Sequence, residues 1–154
     1  MKKLVGTFLL ALSLGFGVHA QDGNGPKFTS ESMVVDYGEV AYKGDGVREF
    51  VFKNTGNQPL MITNAKGSCG CTVPEWPKEP IRPGGEGVIK IKYDTGRSGM
   101  ISKTVTVTTN EVEKTDDAGN PQYKQHVVRI TGSVKTPPAN DGLPVNNQGA
   151  VPSE

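Results

Sequence analysis

An alternation of valine and threonine runs from Ser102 to Thr109, where the sequence reads SKTVTVTT. Successive side chains of an extended strand point to opposite faces, so Val105 and Val107 share one face and the threonines share the other. β-Branched residues also favour strands. This stretch therefore predicts a β-strand with one buried face.

The same period of two recurs elsewhere in the chain. Arg48–Lys53 reads REFVFK and places both phenylalanines on one face, and Val88–Tyr93 alternates apolar residues with lysines. We expect Asp36-Tyr37-Gly38 to end the first strand. Further strands are predicted at Thr29–Val35, Leu60–Ala65 and Tyr123–Val134.

Glycine and proline punctuate these strands. The chain has 20 glycines and 11 prolines, and only 6% of its residues are aromatic. No segment shows a convincing amphipathic helical period. Six or seven short strands joined by turns predict an all-β protein, an antiparallel β-sandwich of about seven strands. A closed barrel is the alternative.

Two segments interrupt the strands. Prolines occupy positions 74, 77, 80 and 83 of Pro74–Pro83, and proline cannot donate to a sheet ladder. We expect an extended surface connection there and no central strand. Glu111–Pro121 is charged and turn-rich, so it is predicted to join the last two strands as a long hairpin.

The first 20 residues form a predicted signal peptide. Lys2 and Lys3 precede an apolar run from Leu4 to Val18, and Val18-His19-Ala20 is a small-x-small cleavage site. A membrane anchor is the alternative, but the run is shorter than the roughly 20 residues that span a bilayer. We expect a periplasmic or extracellular product without a transmembrane segment.

The remaining chain divides by composition. Residues 21–27 are polar and Gly-rich and are predicted to be a flexible lead-in, and residues 28–135 to be one folded domain. From residue 136 to 154 the apolar residues are too few to offset the entropy of ordering, so a disordered tail is expected.

Charge excludes one class of partner. The chain has 17 Lys and Arg against 16 Asp and Glu, and loss of Lys2 and Lys3 leaves 15 against 16, a net charge of −1. No basic stripe remains to neutralise phosphates, so nucleic-acid binding is not expected.

A family resemblance rests on three groups of residues. They are Phe50–Gly56 (FVFKNTG), Ser68–Thr72 (SCGCT) and Ile81–Gly84 (IRPG), together with the strand that leads to Asn110. The sequence from about Phe28 to Val134 resembles the bacterial immunoglobulin-like family catalogued as domain of unknown function 1573. The resemblance implies an immunoglobulin-like fold and export, and it supplies no catalytic residue.

Cys69 and Cys71 are the only cysteines. In a strand, residues i and i+2 lie roughly 6.6 Å apart, whereas a disulfide needs Cβ atoms about 3.8 Å apart. We therefore expect a disulfide only if Gly70 bends the chain sharply. Three interpretations stay open: a structural pair, a reversibly oxidised pair, or a Cu(I) or Zn(II) site that lacks further ligands.

Two other side chains are candidates for a functional role. Trp76, the sole tryptophan, either covers the sandwich edge or serves as an exposed binding anchor. His126 is the only histidine after the leader, and no nucleophile or orienting partner is evident for it. No catalytic, cofactor-binding or metal-ligating residue is predicted.

These observations favour a non-enzymatic binding or assembly module of the cell envelope, with an unknown protein or peptide partner. Sheet edges recruit extended peptides by adding a strand. The alternative function is a thiol-dependent redox or soft-metal-handling protein that uses Cys69 and Cys71.

Overall fold

A computed structural model describes residues 24–137, and these residues form eight strands. The strands are β1 Phe28–Thr29, β2 Val34–Val40, β3 Val47–Asn54, β4 Ile62–Gly67, β5 Thr72–Glu75, β6 Glu86–Tyr93, β7 Gly99–Thr115 and β8 Pro121–Val134.

The strands build two four-stranded sheets. The first sheet has the order β1-β3-β6-β5 and the second the order β2-β8-β7-β4. All neighbours are antiparallel except β2 and β8, which run parallel. The predicted all-β sandwich is confirmed, with eight strands in place of about seven and with one parallel pair.

Alternating side chains from both sheets fill the core. The phenylalanines of β3 and the isoleucines of β6 face the valines of β7 and the Val128 and Ile130 side chains of β8. Complete burial of one such side chain contributes about 1.5–3 kcal/mol. The fully buried apolar side chains are Phe52, Leu60, Ile89, Ile91, Ile101, Val105, Val107, Val128 and Ile130.

A hydrogen bond joins the two sheets through the core. The Tyr37 hydroxyl on β2 donates to the Ile91 carbonyl oxygen on β6 at 2.6 Å. Both residues are buried, so the hydroxyl and the carbonyl satisfy each other where water is excluded. Burial raises the pKa of Tyr37 to about 12, against the opposing effect of nearby Arg48.

Three strand predictions were wrong in their bounds. Residues 29–35 are not one strand, because the chain leaves the first sheet after Thr29 and enters the second at Val34. Asp36-Tyr37-Gly38 does not end β2, since a bulge with Gly38 at φ 62° carries the strand on to Val40. β7 continues through the charged segment to Thr115.

The proline-rich segment begins inside a strand. Pro74 lies in β5, at the edge of the first sheet, where its missing N–H costs no ladder bond. The prediction that this segment contains no central strand is therefore confirmed.

Most of the two terminal segments falls outside the part of the chain that the structure describes. The predicted signal peptide, residues 1–20, and residues 138–154 of the predicted tail fall outside the described residues. Residues 24–27 of the lead-in contact the turn after β3, where Thr55 and Asn57 donate backbone bonds to the carbonyls of Lys27 and Gly25. Within residues 24–137 no helix is long and apolar enough to cross a membrane.

Candidate functional site

The two cysteines lie in the crossover from β4 in the second sheet to β5 in the first. Cys69 and Cys71 form a disulfide. Cys71 is buried and its carbonyl accepts the Asp94 N–H, whereas Cys69 is half-buried against the core. The disulfide thus sits at one end of the sandwich, with one sulfur-bearing residue closer to solvent than the other.

A β-turn brings the cysteines together. The Thr72 N–H donates to the Cys69 carbonyl at 3.2 Å, which makes Gly70 and Cys71 the central residues of the turn. Gly70 has no positive φ, and no atom lies within 4 Å of a Cβ placed there. The chain does bend at Gly70, as the disulfide requires, in an ordinary turn conformation that does not depend on glycine.

The disulfide and the histidine lie apart along the second sheet. Ser68, next to Cys69, donates its N–H to Thr104, while His126 pairs with Val107 and bonds to Glu111 further along β7. In the part of the chain that the structure describes, no three His, Cys, Asp or Glu side chains are grouped to hold a metal ion.

His126 has a partner that the sequence did not reveal. Its Nε2 lies 2.5 Å from Glu111 Oε2, and the Thr109 hydroxyl donates to the same oxygen at 2.9 Å. The Phe28 ring of β1 stacks on the imidazole with centroids 4.5 Å apart. This cluster is closed to solvent, since only 11% of the His126 side chain and 7% of the Glu111 side chain are exposed.

The Glu111 carboxylate is held ionised by its neighbours. Burial alone would raise its pKa, but hydrogen bonds from His126, Thr109 and the Phe28 backbone outweigh burial and lower the pKa below its ordinary value. A buried, fully bonded carboxylate of this kind ties β1 to the second sheet.

A bulge in β7 creates this cluster. Thr109, Asn110 and Glu111 stand opposite the single residue Lys124 of β8. Thr109 and Glu111 continue the inward alternation of Val105 and Val107, and the bulge brings Glu111 within reach of His126. Asn110 then binds the turn before β4, because its side chain accepts from the Met61 N–H and donates to the Pro59 carbonyl.

Beyond the bulge the β7–β8 hairpin leaves the sandwich. Residues 112–124, called the arm below, are exposed throughout. Val112 and Tyr123 are paired across the arm and are 57% and 48% exposed. An apolar pair in such a position is available for contact with another molecule.

Trp76 follows β5 and packs partly against the core. The Lys78 ammonium lies over its ring, 3.3 Å from the centroid. Its indole N–H is buried without a partner among the described residues. The position supports the packing interpretation over that of a free-standing anchor.

The outer borders of β2, β5 and β4 are each blocked at some positions. On β2 the Ser32 hydroxyl bonds both the N–H and the C=O of Val34. On β5 the outward positions are Thr72, whose N–H closes the turn to Cys69, and Pro74, which has no N–H. On β4 the edge is short, because Gly67 packs directly against the Thr72 carbonyl.

The outer border of β3 is also capped. The Val47 N–H donates to Asp45 and its carbonyl accepts from Arg48, while the Ser30 hydroxyl donates to the Val51 carbonyl. The backbone groups of Glu49 and the Val51 N–H have no bond from a described residue there. Local side chains thus discourage pairing at this border, as is common at exposed sheet edges.

The first half of β8 differs from these borders because its outward backbone groups are not capped. β2 covers β8 only from Arg129 onward, where the Arg129 N–H donates to Met33. Because backbone groups alternate in direction, those of Tyr123, Gln125 and Val127 also point away from β7. No described residue bonds them. These three residues define the β8 edge, and their side chains are exposed.

Comparisons with known proteins agree with the fold. The ASH/PapD-like domain 7 of human CEP192 superposes with a TM-score of 0.54 at 6% identity, covering 89% of this chain and all of that domain. The Vibrio cholerae protease VesB gives a TM-score of 0.50 at 12% identity over 70% of this chain. A protein of unknown function from Porphyromonas gingivalis W83 gives 0.47 at 18% identity, covering 72% of this chain and 46% of that protein.

These likenesses concern the fold alone. The match spans only 31% of the VesB chain. A comparison with curated protein sequences finds no significant relative. The superposition on the CEP192 domain confirms the immunoglobulin-like, PapD-like class of the sandwich.

A family model supplies the sequence relationship. It matches residues 28–118, which include strands β1 to β7 and the disulfide. The family resemblance predicted from the sequence is confirmed: this chain belongs to the family of proteins of unknown function named DUF1573.

Proposed function

We propose that this protein acts outside the cytoplasm as a non-catalytic assembly module, in which the β8 edge pairs with an extended strand of another polypeptide. The observation that carries the proposal is the contrast between borders. Bonds cap Val34 on β2, Val47 and the Val51 carbonyl on β3, and Pro74 on β5 has no N–H, whereas Tyr123, Gln125 and Val127 form an unbroken run of three outward residues with free backbone groups.

Backbone pairing explains how such an edge binds. Each hydrogen bond gained contributes about 0.5–1.5 kcal/mol net, so several in a row give useful affinity. Side chains on alternate positions add selectivity. The exposed Tyr123 and Val127 supply apolar contacts on one face of the added strand.

The buried groups support a non-catalytic role. The Glu111 carboxylate and His126 imidazole satisfy each other away from solvent, and Cys69 and Cys71 are bonded to each other. An acid–base catalyst must reach its substrate.

A proline substitution in the β8 edge tests the proposal. Gln125→Pro removes an N–H that no described residue of this chain uses, so the fold should persist by far-ultraviolet circular dichroism. Glu49→Pro is the matched control on the free position of β3. Phage-displayed decapeptides selected on the wild-type protein should lose binding at least about tenfold with Gln125→Pro and keep it with Glu49→Pro. Peptides that bind both variants as tightly as the wild type would refute the proposal that the β8 edge is the binding surface.

Export has its own test. Lys2, Lys3 and the apolar run to Val18 support cleavage after Ala20. Expression of the full-length sequence in a Gram-negative host should place the protein in the periplasmic fraction with Gln21 at its N-terminus, as read by mass spectrometry. Cytoplasmic protein that retains residues 1–20 would contradict export.

A second candidate function is reversible thiol oxidation, which the disulfide and the half-buried position of Cys69 favour. Small, accessible disulfides are the ones that exchange readily. Titration of thiols after treatment with a glutathione redox series should show reduction in the native protein. Thiols that appear only in denaturant would exclude this function.

A further inference from the structure

We propose that the disulfide exchanges with a pair of cysteine thiols in another polypeptide: an incoming thiolate attacks Cys69, and the Thr72 hydroxyl stabilises the thiolate of Cys71 as it leaves. This inference rests on the second candidate function above, reversible thiol oxidation, and assigns a role to each side chain of that site. The observation that carries it is the position of one buried hydroxyl against both sulfurs.

The Thr72 hydroxyl faces sulfur alone. Thr72 is buried, with 2% of its surface exposed. Its Oγ1 lies 3.6 Å from Cys69 Sγ and 3.8 Å from Cys71 Sγ, and it has no other hydrogen-bond partner among the described residues. Buried hydroxyls ordinarily bond to a good acceptor, whereas sulfur is a weak one. The closed disulfide therefore leaves this hydroxyl poorly satisfied.

Opening of the disulfide strengthens that contact. The sulfur that departs during exchange carries a negative charge, and hydrogen bonds to charged acceptors are roughly twice as strong as those between neutral groups. The hydroxyl thus interacts better with the opened site than with the closed one. An interaction that grows as the bond breaks lowers the barrier to exchange.

The two sulfurs differ in access. Cys71 is 6% exposed, and its carbonyl accepts the Asp94 N–H, so it is fixed against the core. Cys69 is half-buried and lies between the exposed residues Ser68 and Gly70. Apart from its chain neighbours, no atom lies within 4 Å of a Cβ placed at Gly70. An incoming thiolate therefore reaches Cys69 more easily than Cys71.

The exchange balances without a further oxidant. A partner thiolate attacks Cys69 Sγ; a new S–S bond forms as the bond to Cys71 breaks, and its electron pair stays on Cys71, which takes a proton. The second thiolate of the partner then attacks the partner sulfur of the mixed disulfide and releases the Cys69 thiolate, which also takes a proton. The partner loses two protons and two electrons and gains a disulfide, and this chain ends with two thiols.

The turn does not depend on the disulfide. The ring encloses one residue, so the bond constrains little chain entropy. The Thr72 N–H bonds to the Cys69 carbonyl, and Ser68 bonds to Thr104 through its N–H and its hydroxyl. None of these bonds involves sulfur. The two thiols therefore stay together when the disulfide is open, and the reverse exchange can close it.

Single-cysteine variants of the full-length chain, expressed with its leader, test the order of attack. Cys71→Ser leaves only Cys69, and Cys69→Ser leaves only Cys71. With oxidised glutathione, Cys71→Ser should form the mixed disulfide at least about tenfold faster than Cys69→Ser, as read by mass spectrometry. Equal rates would overturn the assignment of Cys69 as the attacked sulfur.

The wild type gives the same answer without a substitution. Oxidised protein treated with reduced glutathione and trapped in acid should carry its first adduct on Cys69, located by fragmentation mass spectrometry. A synthetic peptide with two cysteines should gain a disulfide while this chain gains two thiols. A first adduct on Cys71 would overturn the order of attack, and a peptide that stays reduced while glutathione reacts would overturn a polypeptide as the partner.

Two substitutions of Thr72 separate its hydroxyl from its packing. Thr72→Val removes the hydroxyl and keeps the volume, so reduction by glutathione should slow about tenfold. Thr72→Ser keeps the hydroxyl and loses a methyl group, so it should react within about threefold of wild type while its urea midpoint decreases. An unchanged rate in Thr72→Val, or equal slowing in both variants, would overturn the role of the hydroxyl.

The two levels of the proposal fail differently. A wild-type disulfide that neither glutathione nor the peptide reduces in the native protein would end reversible thiol oxidation, and this inference with it. A native disulfide that is reduced with its first adduct on Cys71 would end this inference alone. Binding of extended peptides at the β8 edge depends on neither result.

Discussion

His126 Nε2 lies 2.5 Å from Glu111 Oε2 at the point where the β7–β8 hairpin leaves the sandwich. The pair sits behind the β8 edge and beneath the Phe28 ring, which stacks on the imidazole. It therefore couples three features: the first short strand, the bulge of β7 and the base of the arm. The stability of this end of the domain depends on the charge of one carboxylate.

Low pH should lower the stability of the end of the domain that contains the Glu111–His126 pair. The pKa of Glu111 is lower in the folded chain than its ordinary value of 4.5, because hydrogen bonds outweigh burial. The unfolded chain then binds more protons, so the free energy of unfolding decreases as pH falls below about 4.5. Urea titrations at pH 3 to 7 should show a shallower decrease for Glu111→Gln. The exposed Glu113→Gln should behave as wild type, and equal slopes for all three proteins would contradict this role.

High pH should weaken the hydrogen bond from Tyr37 to Ile91 that joins the two sheets. The pKa of Tyr37 is raised to about 12, so its protonated hydroxyl stabilises the fold fully below pH 10 and loses that contribution as pH rises through about 12. Tyr37→Phe removes one bond to the Ile91 carbonyl, which also faces Arg48 in the β3–β6 ladder, and should cost about 0.5–1.5 kcal/mol at neutral pH. The exposed Tyr123→Phe should cost little. An unchanged free energy of unfolding in Tyr37→Phe would show that this hydrogen bond does not contribute to stability.

Two glycines should respond in opposite ways. Gly70→Ala should change the free energy of unfolding by less than about 0.5 kcal/mol, since the turn has ordinary φ and open space. Gly132 has φ 143°, and a Cβ there would meet the Gly38 carbonyl oxygen at 2.7 Å. Gly132→Ala should therefore cost at least about 2 kcal/mol. Thermal denaturation compares them, and a large effect at Gly70 would contradict the turn described above.

The disulfide should contribute little stability. Its loop contains a single intervening residue, and loss of so small a loop costs about 1–2 kcal/mol in the chain-entropy model. The double variant Cys69→Ala, Cys71→Ala should remain folded with a modestly lower urea midpoint. An unfolded double variant would mean that the crossover depends on the bond.

Much of the sandwich follows from apolar spacing. Val105 and Val107, the phenylalanines of β3 and the isoleucines of β6 are buried as their period of two predicts. Spacing did not predict that β2 continues past Gly38, because a bulge needs a partner strand to define it. Nor did it predict that β7 runs through a charged segment, since an exposed hairpin has no buried face to reveal it.

The residues of the candidate site were harder to predict from the sequence than the strands were. His126 seemed to lack a partner because Glu111 is 15 residues away and faces it only through the bulge in β7. The β8 edge depends on where β2 begins to pair, at Val34 opposite Arg129. Such registers arise from tertiary contacts. The capping serines on β2 and β3 could have been suspected from composition, but their acceptors could not.

Residue-specific amide hydrogen exchange, followed by NMR at a concentration low enough to keep the chain monomeric, tests the open β8 edge most directly. The amides of Gln125 and Val127 should exchange within about tenfold of unprotected rates, while those of His126 and Val128, which face β7, are slowed at least about 1,000-fold. Equal, strong protection of all four amides would show that the edge is already covered and would contradict the account.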